Sequence, residues 1–351
     1  MNMKTNIKTA FLFCLALFSA CSSDNDEPGA EQQPTQQPAQ EKRYPLTIDV
    51  TENPMIVDGD NGGTRAAITT ISSLENFTMS YMYYNSKSGT YSSSENETYS
   101  ATHASGKWTS DNNWPNDAVG NDWNVTWYAY TDGTFNSNNG SPYISFSDEE
   151  AAMHQKDLLV AKKVDKYSNC GGHLFFAFDH ACSALRFLVK KSTNLNDYNL
   201  NITDIKLCNV IKDGKYDLDN GTWTPLTTIT NYTLFKTDDD ESKAITLASD
   251  NYIVLNGTAT TGDTAPYLFF IPQTLTAWNE TSASGNAPSG GSYLQIECTI
   301  SNGGGQVFSG TAYYPFAATL QKGYQYNVNI NIGKKHLYKI ENGNIISNII
   351  N

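Results

Sequence analysis

The chain has 351 residues, with 23 Lys and Arg against 36 Asp and Glu and a formal net charge of −13. That balance argues against a nucleic-acid partner, which needs clustered cations, and suits a soluble surface protein. The 21 Tyr, 15 Phe and 6 Trp, with abundant Thr, Ser, Asn and Gly, make a β-rich composition.

Residues 1–20 carry Lys4 and Lys8, an apolar run over 10–18, then Ser19-Ala20 before Cys21. This is the basic end, apolar core and small-residue exit of a signal peptide. The apolar run is shorter than the roughly 20 residues a spanning helix needs. Small residues directly before Cys21 form a lipobox, although Phe18 stands where Leu is usual. Cys21 is therefore the expected acylation point; plain secretion with a chance cysteine is the alternative. A lipid there anchors the chain to a membrane without crossing it. Losing Lys4 and Lys8 with the leader makes the remaining chain more acidic. Residues 21–43 follow with an acidic run over 24–27, then Gln, Pro, Glu and Ala and almost no large apolar residue. Such a segment cannot bury enough surface to fold and reads as a disordered tether.

In residues 44–50, Leu46, Ile48 and Val50 alternate with Thr47 and Asp49, the period-two pattern of a half-buried strand. The run Asp58-Gly-Asp-Asn-Gly-Gly-Thr-Arg65 follows, rich in turn formers and ending on a single Arg before Ala66. It presents a trypsin-like cleavage point. One cut there removes the tether and a strand of the fold, leaving a groove that another chain's strand could fill. An ordinary first strand and an ordinary loop is the plainer alternative.

Strand-like segments recur over 75–84, 106–109, 123–131, 143–146, 157–164 and 172–190. A second series runs through 202–210, 215–224, 244–247, 251–255, 267–272, 292–300, 306–316 and 324–332. Strands at this spacing predict β-sandwiches and not a βαβ sheet. The best helix candidate is 147–158, where Ser147-Asp-Glu-Glu150 resembles a capping box. Ser192-Thr-Asn-Leu-Asn-Asp197 reads as a break. It separates an N-terminal domain, 44–192, from a C-terminal domain, 193–335. Beyond it, residues 336–351 hold Leu337, Tyr338 and Ile340, then Glu341-Asn342-Gly343-Asn344, then Ile345, Ile346, Ile349 and Ile350. Asn-Gly between apolar runs signals a hairpin. Burying each Leu or Ile is worth roughly 1.5–3 kcal/mol, and leaving them exposed invites aggregation. The tail is either a hairpin packed on its own domain or a strand donated to a neighbour.

No catalytic or cofactor constellation stands out. The histidines lack metal-ligand spacing, and there is no GxSxG, P-loop or strand-borne GxGxxG. His173 and His180, seven apart, face opposite sides of one strand, with His180 hydrogen-bonded inside the fold. Asp213 to Gly221 has spaced carboxylates but not an EF-hand's order, so it reads as a turn. Asp238 to Glu241 reads as a solvated loop. Cys170, Cys182, Cys208 and Cys298 form no CxxC and read as buried free thiols, although an oxidising compartment permits a disulfide. Trp108, Trp114 and Trp123 could form a glycan platform, but aromatics in a β-rich chain mostly fill cores.

Taken together, the chain resembles the fimbrillins of Bacteroidales, the subunits of type V pili. The resemblance rests on the lipobox at Cys21, on Gly63-Thr-Arg-Ala-Ala67 after a first strand, and on Asp157-Leu-Leu-Val-Ala161. It rests equally on Leu174-Phe-Phe-Ala-Phe-Asp-His-Ala-Cys-Ser-Ala-Leu-Arg-Phe-Leu-Val189, Gly214 to Trp223, Leu268-Phe-Phe-Ile-Pro-Gln-Thr-Leu275 and Gly323 to Ile330. The acidic run after Cys21 also resembles a surface-export signal of such bacteria. The resemblance implies two transthyretin-like β-sandwich domains and export as a lipoprotein held at the outer membrane. It further implies cleavage by an Arg-specific protease and polymerisation with other fimbrillin subunits by strand exchange, in an adhesive fimbrium at the cell surface. By position, the cut bond is Arg65-Ala66. The removable strand then carries Leu46, Ile48 and Val50, and the tail with Leu337, Tyr338, Ile340, Ile345, Ile346, Ile349 and Ile350 is the donor. Cutting at Arg43 instead would free the lipid but leave the strand. The alternative is a non-polymerising surface lipoprotein, or a tip or accessory adhesin binding glycan or host protein. No enzymatic activity or cofactor is implied.

Overall fold

A computed structural model describes residues 43–57, 71–148, 157–237, 244–255, 267–347 and 349–350. Cys21, Arg65, Ala66, the leader, the tether, the Gly-rich run, Asp238 to Glu241 and most of the 147–158 helix candidate lie outside these residues.

The chain is all-β. Its N-terminal part is built from β1 (Pro45–Glu52), β2 (Asn76–Asn85), β3 (Thr90–Ser93), β4 (Tyr99–Ala104), β5 (Lys107–Asn113), β6 (Val125–Tyr130), β7 (Leu159–Asp165) and β8 (His173–His180). Seven of them pair in the order β2-β4-β5-β1-β8-β7-β6, and β6 pairs back onto β2, so the ladder closes. β3 pairs with β2 outside that ring. Closure removes the unpaired edges an open sheet would expose. Every ladder in the ring is antiparallel except β1 on β8. Inside lie Leu46, Ile48, Phe77, Met79, Trp114, Trp127, Leu174, Phe176 and Phe178, all buried. The alternation of β8 is complete: Leu174, Phe176, Phe178 and His180 point in, while His173, Phe175, Ala177 and Asp179 point out.

The 172–190 segment, expected as one strand, is two. β8 ends at His180, and β9 (Ser183–Lys191) starts after Ala181-Cys182 in a different sheet. There β9 runs parallel to β14 (Tyr324–Ile332) and antiparallel to Ile253–Leu255 and Leu268–Phe270. A second sheet comprises β10 (Asn199–Ile211), β11 (Ile229–Lys236), β12 (Tyr293–Asn302), β13 (Gly305–Pro315), β15 (Tyr338–Glu341) and β16 (Asn344–Ser347), with the short strand Ile245–Thr246 paired on β10. Phe187 and Val189 from the first sheet share one core with Ile202, Ile205, Leu294 and Ile296 from the second.

Pairing and packing cross residue 193. β9 precedes that point, yet its partners come after it. A four-stranded sheet joins Thr134–Asn136 and Tyr143–Ser147 to Asp213–Asp217 and Trp223–Pro225. A third core packs Tyr128, Tyr130, Phe135 and Ile144 against Tyr216, Tyr267, Phe269 and Ile271. The turn residues of Asp213 to Gly221 serve this junction: Asp219 accepts from Tyr128 Oη at 3.2 Å and pairs with Lys162 at 2.6 Å.

Candidate assembly site

The site begins at β1, which extends two residues past the expected 44–50. Leu46 and Ile48 are buried and Val50 is half-buried, so the period-two reading holds along the strand. β1 sits inside the ring, with β8 on one side from Thr47 to Glu52 and β5 on the other only as far as Ile48, opposite Trp108. From Asp49 onward the β5 side opens into a cavity of about 780 Å³. Its walls include Val50, Glu52, Ile71, His103, Trp108 and His173. Trp108 is not a free platform there, since Phe77 lies 4.7 Å from one side and His103 stacks at 4.9 Å. Trp114 is fully buried and Trp123 half-buried against Tyr83, as core aromatics.

Several bonds fix the ends of β1. At its start, Thr47 N donates to Gly172 O at 3.0 Å and Trp114 N donates to Tyr44 O at 2.8 Å. Gly172 has φ +92°, and a Cβ there would collide with the Pro45 carbonyl oxygen, so glycine is required. At its end, Asn53 N donates to Phe178 O at 2.8 Å and Asn53 Nδ2 to Asp179 Oδ1 at 2.7 Å. Between them, Asp49 Oδ2 lies 2.9 Å from His173 Nε2, both exposed. Glu52 is the residue the sequence reading missed. Its parity with Leu46, Ile48 and Val50 is the signal that could have found it. Oε1 lies 3.1 Å from His180 Nε2, and Oε2 accepts from Ile71 N at 2.5 Å. His180 Nδ1 bonds Asp157, whose side chain is wholly buried. Burial works against a charged His180, but Asp157 and Glu52 outweigh it and raise the pKa. Burial likewise pushes the Asp157 carboxyl up, although His180 pulls it down.

Beyond β1 the chain crosses to the other part. Met55 is buried in the junction core, and Ile56–Val57 runs parallel to β14, with Ile56 N donating to Gly323 O at 2.8 Å. A cut after Arg65 therefore frees this short strand together with β1.

The tail forms the expected hairpin. β15 and β16 pair from Tyr338↔Ser347 to Glu341↔Asn344, with Asn342 and Gly343 at φ 49° and 79°. Two successive positive φ values make the tight turn that Asn-Gly favours. The hairpin packs on its own chain. Leu337 and Ile350 are buried in the large core, with Ile349 beside them. Tyr338, Ile340 and Ile345 meet Trp278, whose ring centroid is 5.5 Å from that of Tyr338. Ile346 stays exposed. The ladder grip is slight: β15 meets β13 at one pair, Tyr313↔Tyr338, and among the described residues β16 has no strand partner but β15, while the turn is held by Gly343 N donating to Gly285 O at 2.8 Å and Asn342 N to Asn286 Oδ1 at 2.9 Å.

Cys182, Cys208 and Cys298 are buried free thiols and Cys170 is half-buried. Burial pushes Cys208 to about 11 and Cys298 to about 12, so neither is a nucleophile at neutral pH.

The model of the fimbrillin-like family matches residues 64–347. A crystal structure of a fimbrial protein from Bacteroides vulgatus is similar at a TM-score of 0.53 with 18% identity, covering 87% of this chain and 99% of that one. Candidate cell adhesion proteins of Bacteroides ovatus and Bacteroides uniformis align with 13% and 14% identity and TM-scores of 0.43 and 0.42. They cover 89% of this chain in each case, and 100% and 99% of their own. No curated protein matches. The match is to a family of fimbrial structural proteins and not of enzymes. The chain belongs to the fimbrillin-like family.

Proposed function

We propose that the chain is a structural subunit of an adhesive type V pilus at the cell surface. It is exported as a lipoprotein on Cys21, held at the outer membrane until an Arg-specific protease cuts Arg65-Ala66, and joined to other fimbrillin subunits by strand exchange. Its two main cores belong, in this reading, to two transthyretin-like sandwich domains, the closed ring being the first. The observation that carries the proposal is the position of β1. It is an inner strand of a closed ring, half free along one edge, and sequence-continuous with the Gly-rich run that ends at Arg65. Its departure leaves β5 and β8 with unpaired backbone groups and uncovers the apolar interior. An apolar tail from a neighbour can repair that loss.

A specific observation favours a second reading. Leu337 and Ile350 lie in the chain's own core, as expected of a tip, accessory or non-polymerising surface lipoprotein that donates no strand. Arg-specific proteolysis of wild type separates the two. The pilin reading expects heat-resistant ladders on electrophoresis, lost on Arg65→Ala, whereas persistent monomer supports the second. Cys21→Ser should move the protein from the membrane to the soluble fraction; unchanged metabolic lipid labelling would refute the anchor.

A further inference from the structure

We propose that Glu52, His180 and Asp157 form a proton-operated clasp that controls when the first strand leaves the ring, an inference that rests on the strand-exchange reading above. Three elements meet at the clasp. Glu52 ends β1, His180 ends β8, and Asp157 lies just before β7. The His180 side chain is 2% exposed and Asp157 0%, so both are sealed from water, while Glu52 at 14% borders the cavity.

The chemistry follows from the proton count. An imidazolium has two N–H donors and satisfies both carboxylates. A neutral ring has one. Asp157 is the deeper carboxylate, so leaving it unpaired costs more, and the remaining proton stays on Nδ1. Glu52 then faces a bare Nε2 lone pair. Deprotonation is therefore directed at the first strand and not at the wall of the ring. The groups around His180 sharpen this. Asp179 is turned to Asn53, and the Cys182 thiol beside Asp157 is held protonated by burial. Among the described residues no Lys or Arg pairs with Glu52 or Asp157. The ring proton is thus the clasp's counter-charge, and its raised pKa keeps the clasp closed below that value and opens it as pH rises. The exposed His173–Asp49 pair adds little.

The tail cannot reproduce the clasp. Laid along β1 in the same direction, its one carboxylate side chain, Glu341, reaches the place of Glu52 only if Lys335, just before the tail, and Lys339 take the inward places of Leu46 and Val50. Acid conditions thus favour the chain's own strand, and higher pH favours exchange.

The test uses the full chain nicked at Arg65, with the first strand fluorescently labelled, and follows peptide release in the presence of excess 336–351 peptide. Wild type should release it at least roughly tenfold faster at the alkaline end of a series from about pH 5.5 to about pH 10 than at its acid end, the change falling above the ordinary imidazole pKa because that of His180 is raised. Glu52→Ala, which leaves His180 Nε2 and Ile71 N without their carboxylate, should release it fast at both ends, and His180→Gln should match if it folds. A pH-independent wild-type rate, or an unchanged pH response in Glu52→Ala, overturns the clasp while strand exchange stands. No release from any variant at any pH overturns strand exchange, and the inference with it.

Discussion

At the scale of single residues, the intact chain should already show the proton dependence of the Glu52–His180–Asp157 group. His180 and Asp157 both have raised pKa values in the folded state. A group with a raised folded pKa binds its proton more tightly in the native chain. Its contribution is full below the unfolded pKa and lost as pH rises through the folded one. Glu52→Ala should therefore lower stability by about 1–3 kcal/mol near pH 6, the cost of a broken charged hydrogen bond, and by less at a pH above the raised His180 pKa. Thermal melting at both pH values reads this; an equal loss at each would refute the sign. Gly172→Ala should cost about 1–3 kcal/mol through its positive φ and the clash with Pro45, read by urea denaturation. Leu46 and Ile48 were legible because alternation marks a buried face directly. Glu52 was not, because a carboxylate after the last apolar residue reads as solvated until the partner that keeps it inside is known.

Among elements, strands with strong apolar alternation were legible, and so was the Asn342-Gly343 hairpin. β3 and β4 were passed over because their sequences, TYSS and YSATHA, are hydroxyl-rich, and β3 buries no residue while β4 buries only Tyr99 and Ala101. The break at Ala181-Cys182 was hidden because both residues are apolar and buried, so hydropathy runs on while the chain changes sheets. The tail shows the limit most plainly. Its composition marked it for burial, but composition cannot say against which chain. Because Ile350 fills the large core, Ile350→Ala should cost about 2–5 kcal/mol in urea unfolding. Ile346 is exposed, so Ile346→Ser should change stability by less than about 0.5 kcal/mol. If it nonetheless abolishes ladders, the tail pairs outside its own chain; normal ladders would remove Ile346 from the donor set.

For the whole molecule, the proposed cleavage makes one peptide bond decide whether the first strand is part of the chain or a ligand of it. While Arg65-Ala66 is intact, β1 is tethered beside its own slot and rebinds at once if it opens. Once cut, the same ladder bonds, the burial of Leu46 and Ile48 and the Glu52 clasp hold a separate peptide, and mass action governs the fold. The stability of a ring that keeps its strand should then gain RT ln(1 + [peptide]/Kd), about 2.7 kcal/mol at a hundredfold excess over Kd. The two-sheet core contains no residue of the released segment, so it should survive the strand's loss, while the ring and the junction core that gives up Met55 loosen. Calorimetry on the nicked chain should accordingly show two transitions. The lower one should climb with added first-strand peptide and fall on dilution, and the upper one should stay fixed. A single transition at the uncut temperature, indifferent to dilution and to peptide, would mean that β1 remains locked after cleavage and that no groove ever opens for a partner.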